Sequence, residues 1–228
     1  MTVKTVIFDL DGTLVDTAPD LMLATNHVLS LLKRRAITMQ EVRSFVGHGA
    51  KALIARGCAA TGEAIDEKTL GFYHAEFLRF YEKNIAANSA AFPGAISLLD
   101  RCAASGIKMG VCTNKLEGLS NRLLNALDLA KYFGAVVGPD TVNIAKPDPA
   151  PYFETLNRLG TQARHSVMIG DSETDILTAR AAGVPVIAVT FGYTPKPVAT
   201  YSPDYLVSHF DEIWDVLQSL PAAGALNV

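Results

Sequence analysis

Short apolar runs alternate with helical patterns along most of the chain. The run from Val6 to Phe8 contains two β-branched residues and predicts a buried parallel strand. The second half predicts further strands at 108–113, 135–137, 166–169, 184–189 and 205–207. Helical patterns occupy the intervening segments, at 95–104, 116–127, 148–160, 174–182 and 211–220. Strands that alternate with helices form right-handed βαβ units, so we predict an α/β fold with a doubly wound, Rossmann-like parallel sheet.

The segment after the first strand contains only helical patterns. One helix is predicted from Thr17 to about Arg35, and Thr38 with Glu41 carries a capping-box signature for a short second helix. Asp66 begins a longer helix that reaches about Lys83. This pattern predicts a small all-helical domain inserted after the first strand. The expected domains are a core of residues 1–16 and 92–228, and an insert of residues 17–91.

Composition narrows the classes of function. The chain has 228 residues, of which 49% are hydrophobic, so it can form one large or two small domains with a sizeable core. Its net charge is −3, and the triplet Lys33–Arg35 is expected to lie at a solvated helix end, so nucleic-acid binding is not predicted. We expect neither a membrane span nor a signal peptide. Three cysteines without metal-type spacing fit a cytoplasmic protein.

Polar residues follow the predicted strands where the chain turns into the next element. The carboxyl ends of strands meet at one edge of a doubly wound sheet, so a single pocket can hold all of these side chains. The tail from Pro221 to Val228 is expected to be frayed. The residues expected at the edge are Asp9, Asp11, Thr113, Asn114, Lys115, Lys146, Asp171 and Asp175.

Asp9 and Asp11 stand two residues apart after the first strand. A polar turn that ends in Gly12 is the simplest reading of this pattern. Two carboxylates at a buried edge repel each other, however, and they suit a shared hard cation or a division between nucleophile and acid/base. Asp9 is ionised at neutral pH and can attack phosphorus without a base. Asp11 can protonate a leaving oxygen and then deprotonate water.

The other polar residues complete the requirements of phosphoryl transfer. The hydroxyl of Thr113 and the backbone amides of Asn114 and Lys115 can hold phosphate oxygens at a helix start. Lys146 supplies a cation that offsets the charge of phosphate and carboxylates. Three carboxylates offer hard oxygen ligands for Mg²⁺, namely Asp9, Asp171 and, in support, Asp175.

Four motifs in this chain resemble those of the haloacid dehalogenase-like hydrolase superfamily, in the same order. They are DLDGT from Asp9, Thr113-Asn114, Lys146-Pro147 and GDSETD from Gly170, and the resemblance extends over residues 3–220. The helical insert is similar to the small cap of that superfamily. The resemblance implies that Asp9 is the nucleophile, that Asp11 is the acid/base, and that Thr113 and Lys146 bind the phosphoryl group. It also implies that Mg²⁺ is held by the Asp9 carboxylate, the Asp11 backbone carbonyl and Asp171, with Asp175 in support.

Three longer strings resemble phosphoglycolate phosphatases within that superfamily: LVDTAPDL, VGHGAKAL and GDSETDILTARAAGVPVIAVTFGY. Dehalogenases and phosphonate-cleaving members lack an aspartate at the position of Asp11, so its presence indicates phosphate-ester chemistry. The resemblance implies a Mg²⁺-dependent phosphomonoesterase with 2-phosphoglycolate as the leading substrate. A sugar-phosphate phosphatase, a pyrophosphatase and a phosphosugar mutase are the alternatives. A non-catalytic binding protein is disfavoured because the nucleophile and the acid/base are both present.

The insert carries candidates for substrate selection. Gly47, His48 and Gly49 form a loop that either reaches over the pocket or only joins two helices. Arg43 and Lys51 flank this loop and either bind an acidic substrate tail or face solvent. An aromatic stripe, Tyr73, Phe77, Phe80 and Tyr81, is expected in the core of the insert. We expect a small phosphorylated metabolite as the partner, no nucleic acid or membrane, and a monomer or homodimer.

Overall fold

Six parallel strands form the central sheet of the protein. The computed structural model describes residues 3–220, and the predicted fraying of Pro221–Val228 lies outside the described residues. The strands are β1 (Thr5–Phe8), β2 (Val15–Asp16), β3 (Ala90–Ala91), β4 (Lys108–Cys112), β5 (Ala135–Val137), β6 (Ser166–Gly170), β7 (Val186–Val189) and β8 (Tyr205–Val207). The sheet has the order β5-β4-β1-β6-β7-β8. The prediction of a doubly wound α/β fold is therefore confirmed.

Ten helices accompany these strands in the described part of the chain. They are α1 (Ala18–Leu31), α2 (Met39–Phe45), α3 (Ala50–Thr61), α4 (Glu67–Lys83), α5 (Ala95–Ala104), α6 (Glu117–Ala126), α7 (Pro139–Val142), α8 (Ala150–Leu159), α9 (Glu173–Ala182) and α10 (Phe210–Ser219). No helix within residues 3–220 has the length and apolar character needed to cross a membrane.

The central strand β1 supports both faces of the sheet. Val6 and Phe8 point into the core shared with α5, α6 and α10, whereas Ile7 points into the core shared with α8 and α9. Alternate residues of a strand face opposite sides, so this apolar run serves two layers of helices at once. Phe8 is in register with Val111 of β4 and Ile169 of β6. The residues that follow these three strands therefore meet at one edge.

Helices α1–α4 form the inserted all-helical cap, with their own apolar core that includes Leu21, Ile54 and Phe77. The chain enters and leaves the cap through a short antiparallel pair that joins β2 to β3. The sequence pattern does not predict this pair because two-residue strands show no periodicity. Asp20 strengthens the junction, because its carboxylate accepts hydrogen bonds from the backbone amides of Asn88 and Ser89 at 3.0 and 2.8 Å.

The predicted starts of two helices in the cap are confirmed, but the predicted end of α1 is wrong. The capping box of Thr38 and Glu41 is confirmed at the start of α2, and α4 begins after Asp66 as expected. The predicted continuation of α1 to about Arg35 is wrong, since α1 ends at Leu31. Lys33 adopts a φ of 56° and turns the chain back. The basic triplet therefore follows the helix instead of occupying its last turn.

Candidate active site

A cavity of about 340 Å³ lies between the carboxyl edge of the sheet and the cap. This volume is at the small end of the range of about 300–1,000 Å³ that is typical of small-molecule sites. The core contributes seven of the eight residues predicted at the sheet edge to its lining: Asp9, Asp11, Thr113, Asn114, Lys115, Lys146 and Asp175. The cap contributes Gly47, His48 and Gly49. Residues that are far apart in sequence thus surround one space of metabolite size.

Asp9 lies at the floor of the cavity, directly after β1. Its backbone amide donates to the carbonyl of Ile169 at 2.8 Å, which extends the strand pairing by one residue. Its Oδ1 accepts a hydrogen bond from Nζ of Lys146 at 2.8 Å. Burial raises the pKa of Asp9 to about 7; the Lys146 ammonium opposes this rise, and the carboxylate of Asp175 adds to it. One lysine therefore does not neutralise the acidic groups around Asp9.

Asp175 makes a second buried ion pair with Lys146. Its Oδ1 accepts from Nζ of Lys146 at 2.6 Å. Its Oδ2 accepts from the backbone amides of Asp171 and Ser172, and from the Ser172 hydroxyl at 2.7 Å. Both oxygens are thus engaged with the lysine and with the loop that precedes α9. Asp175 positions two neighbours while it remains fully buried.

Asp171 follows β6 and packs against two glycines. Its Oδ1 accepts from the Thr13 hydroxyl at 3.1 Å, and its Oδ2 accepts from the backbone amide of Tyr193. A Cβ atom on Gly192 would lie 2.1 Å from the Cβ of Asp171, a separation that no side chain can adopt. Burial raises the pKa of Asp171, and the carboxylates of Asp175 and Asp9 raise it further.

Three carboxylates form a cluster that suits a cation. Asp9, Asp171 and Asp175 each offer one ligand atom, and these atoms lie within 4.8 Å of one another. All three side chains are buried, and the ammonium of Lys146 is the one cation in contact with Asp9 and Asp175 among the described residues. Buried carboxylates in excess of cations are stabilised by a hard divalent ion with oxygen ligands. The donor set therefore fits such an ion.

Asp11 pairs with Lys115, a predicted edge residue whose side chain the sequence pattern gave no role. Nζ of Lys115 lies 2.9 and 3.1 Å from the two carboxylate oxygens of Asp11. The sequence pattern suggested only the backbone amide of Lys115 as a phosphate ligand. That amide instead donates to the Thr113 hydroxyl at 3.2 Å. The position of Lys115 directly after the polar end of a strand is the sequence signal that could have indicated a role for its side chain.

Asn114 connects the cap loop to the Lys146 loop. Its side-chain amide donates to the carbonyls of Gly47 and Lys146, both at 3.1 Å. Its Oδ1 accepts from the backbone amide of Lys146 at 2.9 Å. Because the Asn114 side chain is occupied by these contacts, it acts on the site by holding two loops together. Thr113 lies beside it and is buried.

The cap loop borders the cavity through backbone conformations that favour glycine. Gly47 and Gly49 have φ values of 114° and 83°, so the loop turns sharply before α3. His48 and Lys51 also border the cavity. Burial lowers the pKa of His48, and the nearby Arg56 lowers it further.

Arg43 does not line the cavity, so it is not placed to bind an acidic tail of a substrate there. Its guanidinium donates to Asp16 at 2.9 Å and stacks over the Tyr193 ring at 5.7 Å. The Tyr193 hydroxyl donates to Asp16 and accepts from the Ala18 amide at 2.9 Å. Tyr193 therefore connects Asp171 to the entrance of the cap, a role that no local pattern indicated.

Comparisons with known proteins show what this chain is similar to. The sequence profile of the haloacid dehalogenase-like hydrolase family matches residues 6–189. A phosphoglycolate phosphatase of Mesorhizobium japonicum is 42% identical over 208 residues, which cover 91% of this chain and 92% of the relative. One from Caulobacter vibrioides is 43% identical, with 92% and 88% covered. A crystal structure of a "predicted phosphoglycolate phosphatase" from Haemophilus somnus has a TM-score of 0.89 and 28% identity, with 96% and 99% covered.

Proposed function

Because this chain belongs to the haloacid dehalogenase-like hydrolase family and is a phosphatase, we propose that it is a Mg²⁺-dependent phosphomonoesterase with 2-phosphoglycolate as its leading substrate. The observation that carries the proposal is the buried pair of Asp9 and Lys146 at the floor of a cavity that also holds Asp11. The choice of substrate rests on the relatives named phosphoglycolate phosphatase. The small cavity volume also suits a short ester.

The reaction proceeds in two displacements. An Asp9 carboxylate oxygen bonds to phosphorus as the bond to the leaving oxygen breaks, which produces an aspartyl-phosphate. The Asp11 carboxyl group donates a proton to that oxygen, and the alcohol leaves. Asp11, now ionised, takes a proton from a water molecule whose oxygen bonds to phosphorus. The Asp9–phosphate bond then breaks, and inorganic phosphate and the original aspartate are formed.

Other residues bind and orient the phosphoryl group. Lys146 offsets negative charge beside Asp9, and the Thr113 hydroxyl contributes a hydrogen bond to a phosphoryl oxygen. Mg²⁺, held by Asp9, the Asp11 backbone carbonyl and Asp171, would neutralise charge that Lys146 alone leaves uncompensated. Asp175 supports this arrangement through Lys146 and the loop at Ser172.

The cap excludes bulk water from the reaction. We divide the chain into a core of residues 1–16 and 92–228 and a cap of residues 17–91. Cap residues Gly47, His48 and Gly49 line the same cavity as Asp9. Closure of such an element over a site protects the intermediate and brings selective groups to the substrate.

Phosphate release from a panel of esters tests the proposal. The panel contains 2-phosphoglycolate, hexose phosphates and pyrophosphate, each with Mg²⁺ and with a chelator. We expect 2-phosphoglycolate to exceed the others and its turnover to be lost on chelation. Isomerisation of a sugar phosphate without release of phosphate would instead indicate a mutase.

Two variants test the assignment of the aspartates. Asp9→Asn keeps the size of the side chain, and we expect it to abolish turnover while circular dichroism and the melting temperature show a folded protein. Asp11→Asn should slow both formation and hydrolysis of the aspartyl-phosphate in single-turnover experiments. Appreciable steady-state activity in Asp9→Asn would exclude Asp9 as the nucleophile.

A further inference from the structure

Lys115 is a buried cation at the point where core and cap meet. Its side chain is 6% exposed and that of Asp11 is 15% exposed. The ammonium contacts both oxygens of Asp11 and lies 4.6 Å from the centre of the Tyr81 ring, which belongs to α4 of the cap. Lys115 and Tyr81 both border the cavity. A cation held between the two domains can therefore contact a bound substrate from the side of the leaving group.

The hydroxyl of Tyr81 provides a second indication of a ligand. Tyr81 is 1% exposed. Its hydroxyl oxygen is buried beside the Lys115 ammonium, but no group within residues 3–220 meets normal hydrogen-bond geometry with it. Burial of a polar group without a partner is unfavourable, and such groups in native proteins call for an explanation such as a ligand. Here the unpaired hydroxyl stands beside an ammonium at the edge of the cavity.

We propose that Lys115 and the Tyr81 hydroxyl form a subsite for the carboxylate of a short phosphate ester, and that this subsite selects esters whose carboxylate is attached to the ester carbon. The inference rests on the proposed function and deepens it. Asp11 must reach the leaving oxygen, and the Lys115 ammonium is within 3.1 Å of both Asp11 oxygens. A carboxylate carbon only two bonds beyond the leaving oxygen therefore falls within reach of Lys115, whereas a remote carboxylate does not.

The chemistry of this subsite favours an anion over a hydroxyl group. A lysine ammonium has three N–H donors, and Asp11 does not use all of them. An N–H donor on a cation bonds a carboxylate more strongly than a neutral acceptor, particularly in a buried site. The Tyr81 hydroxyl adds a neutral donor on the cap side. An ester that ends in a neutral alcohol would leave this donor pair poorly matched.

Paired substrates test the subsite. We compare kcat/KM for 2-phosphoglycolate with that for 2-hydroxyethyl phosphate, in which an alcohol replaces the carboxylate. Lys115→Met should lower the ratio of the two values by about 10- to 100-fold, because a hydrogen bond to a charged group is lost. Tyr81→Phe should lower the ratio by a few-fold in the same direction. Lys108→Met, in the strand end opposite the site, is the matched control and should leave the ratio unchanged.

The paired substrates distinguish direct binding of the carboxylate by Lys115 from a role in which Lys115 only positions Asp11. If Lys115 merely positions Asp11, Lys115→Met slows both esters equally and the ratio stays constant, which would overturn the proposal. Lys115→Arg, which keeps the charge, should restore most of the preference.

Binding gives a readout that does not depend on turnover. Isothermal titration calorimetry in the presence of Mg²⁺ compares Asp9→Asn with the double variant that also carries Lys115→Met. The second substitution should weaken the binding of 2-phosphoglycolate far more than the binding of 2-hydroxyethyl phosphate. Equal weakening of both esters, or no binding of either one, would contradict the subsite. Selective binding without phosphate release by the wild-type protein would contradict the proposed function while supporting the subsite.

Discussion

The ammonium of Lys146 lies 2.8 Å from the carboxylate of Asp9, and both side chains are largely shielded from solvent. The same ammonium lies 2.6 Å from Asp175, so one cation serves two buried anions. Removal of one partner from a buried pair leaves a charge without compensation, which is more damaging than loss of a surface ion pair. The local excess of negative charge leads to the first two predictions.

Lys146→Met should both inactivate and destabilise the protein. The substitution keeps an apolar stem but leaves Asp9 and Asp175 without their cation, so we expect a loss of about 3–5 kcal/mol in the free energy of unfolding. Urea denaturation measures this loss. The surface variant Lys131→Met, whose ion pair with Asp128 is exposed, is the control and should change stability by less than about 1 kcal/mol. Equal effects of the two variants would show that the buried pair has no special importance.

Mg²⁺ should raise the melting temperature of the wild-type protein. Binding at a concentration of 100 times the dissociation constant stabilises the folded state by about 2.7 kcal/mol. Asp171→Asn should lose most of this increase, because it removes a carboxylate from the cluster. Its metal-free form should differ little in stability from the metal-free wild type, because the loss of repulsion is opposed by the loss of one of the two hydrogen bonds that the Asp171 carboxylate accepts from Thr13 and Tyr193. Differential scanning fluorimetry, with sodium chloride at matched ionic strength, measures both effects. An undiminished Mg²⁺ response in Asp171→Asn would contradict the assigned ligand.

Gly192→Ala should disrupt the cluster through backbone displacement. The new Cβ would lie 2.1 Å from the Cβ of Asp171, so one of the two chain segments must move. We expect reduced stability together with a loss of Mg²⁺ affinity. Gly71→Ala is the matched control, because nothing lies within 4 Å of its Cβ position in α4. That helix-interior change should stabilise the protein by about 0.5–1 kcal/mol. Urea denaturation of both variants measures whether Gly192→Ala lowers, and Gly71→Ala raises, the free energy of unfolding.

Tyr193→Phe should loosen the entrance of the cap. The variant keeps the backbone contact to Asp171 but removes the hydroxyl that joins Asp16 to the Ala18 amide. A buried amide then loses its partner, so we expect a destabilisation of about 1–3 kcal/mol. Hydrogen exchange at Ala18 and its neighbours should accelerate, while exchange in the central strand β1 stays slow. Uniform acceleration throughout the sheet would indicate global destabilisation instead.

Much of the fold could be predicted because its signals are local. The apolar run at Val6–Phe8 predicts a buried strand, and the helix after each strand predicts a crossover to a parallel neighbour. Because such crossovers are right-handed, the strands and helices together predict a parallel sheet. Such a sheet brings its strand ends to one edge, so the position of Asp9 and Asp171 near each other followed from topology. Capping chemistry at Thr38 and Glu41 was likewise readable, since both partners lie within one turn of helix.

The pairings that complete the site depended on the tertiary structure. Lys115 meets Asp11 across 104 positions of sequence, and Tyr193 meets Asp16 across 177. No periodicity carries that information, because the direction of a side chain at a strand end depends on the elements packed around it. The sequence by itself therefore determined the architecture and the residues at the edge of the sheet. Only the packing of distant elements decided which charges pair, and it places Lys115 between Asp11 and the cap residue Tyr81.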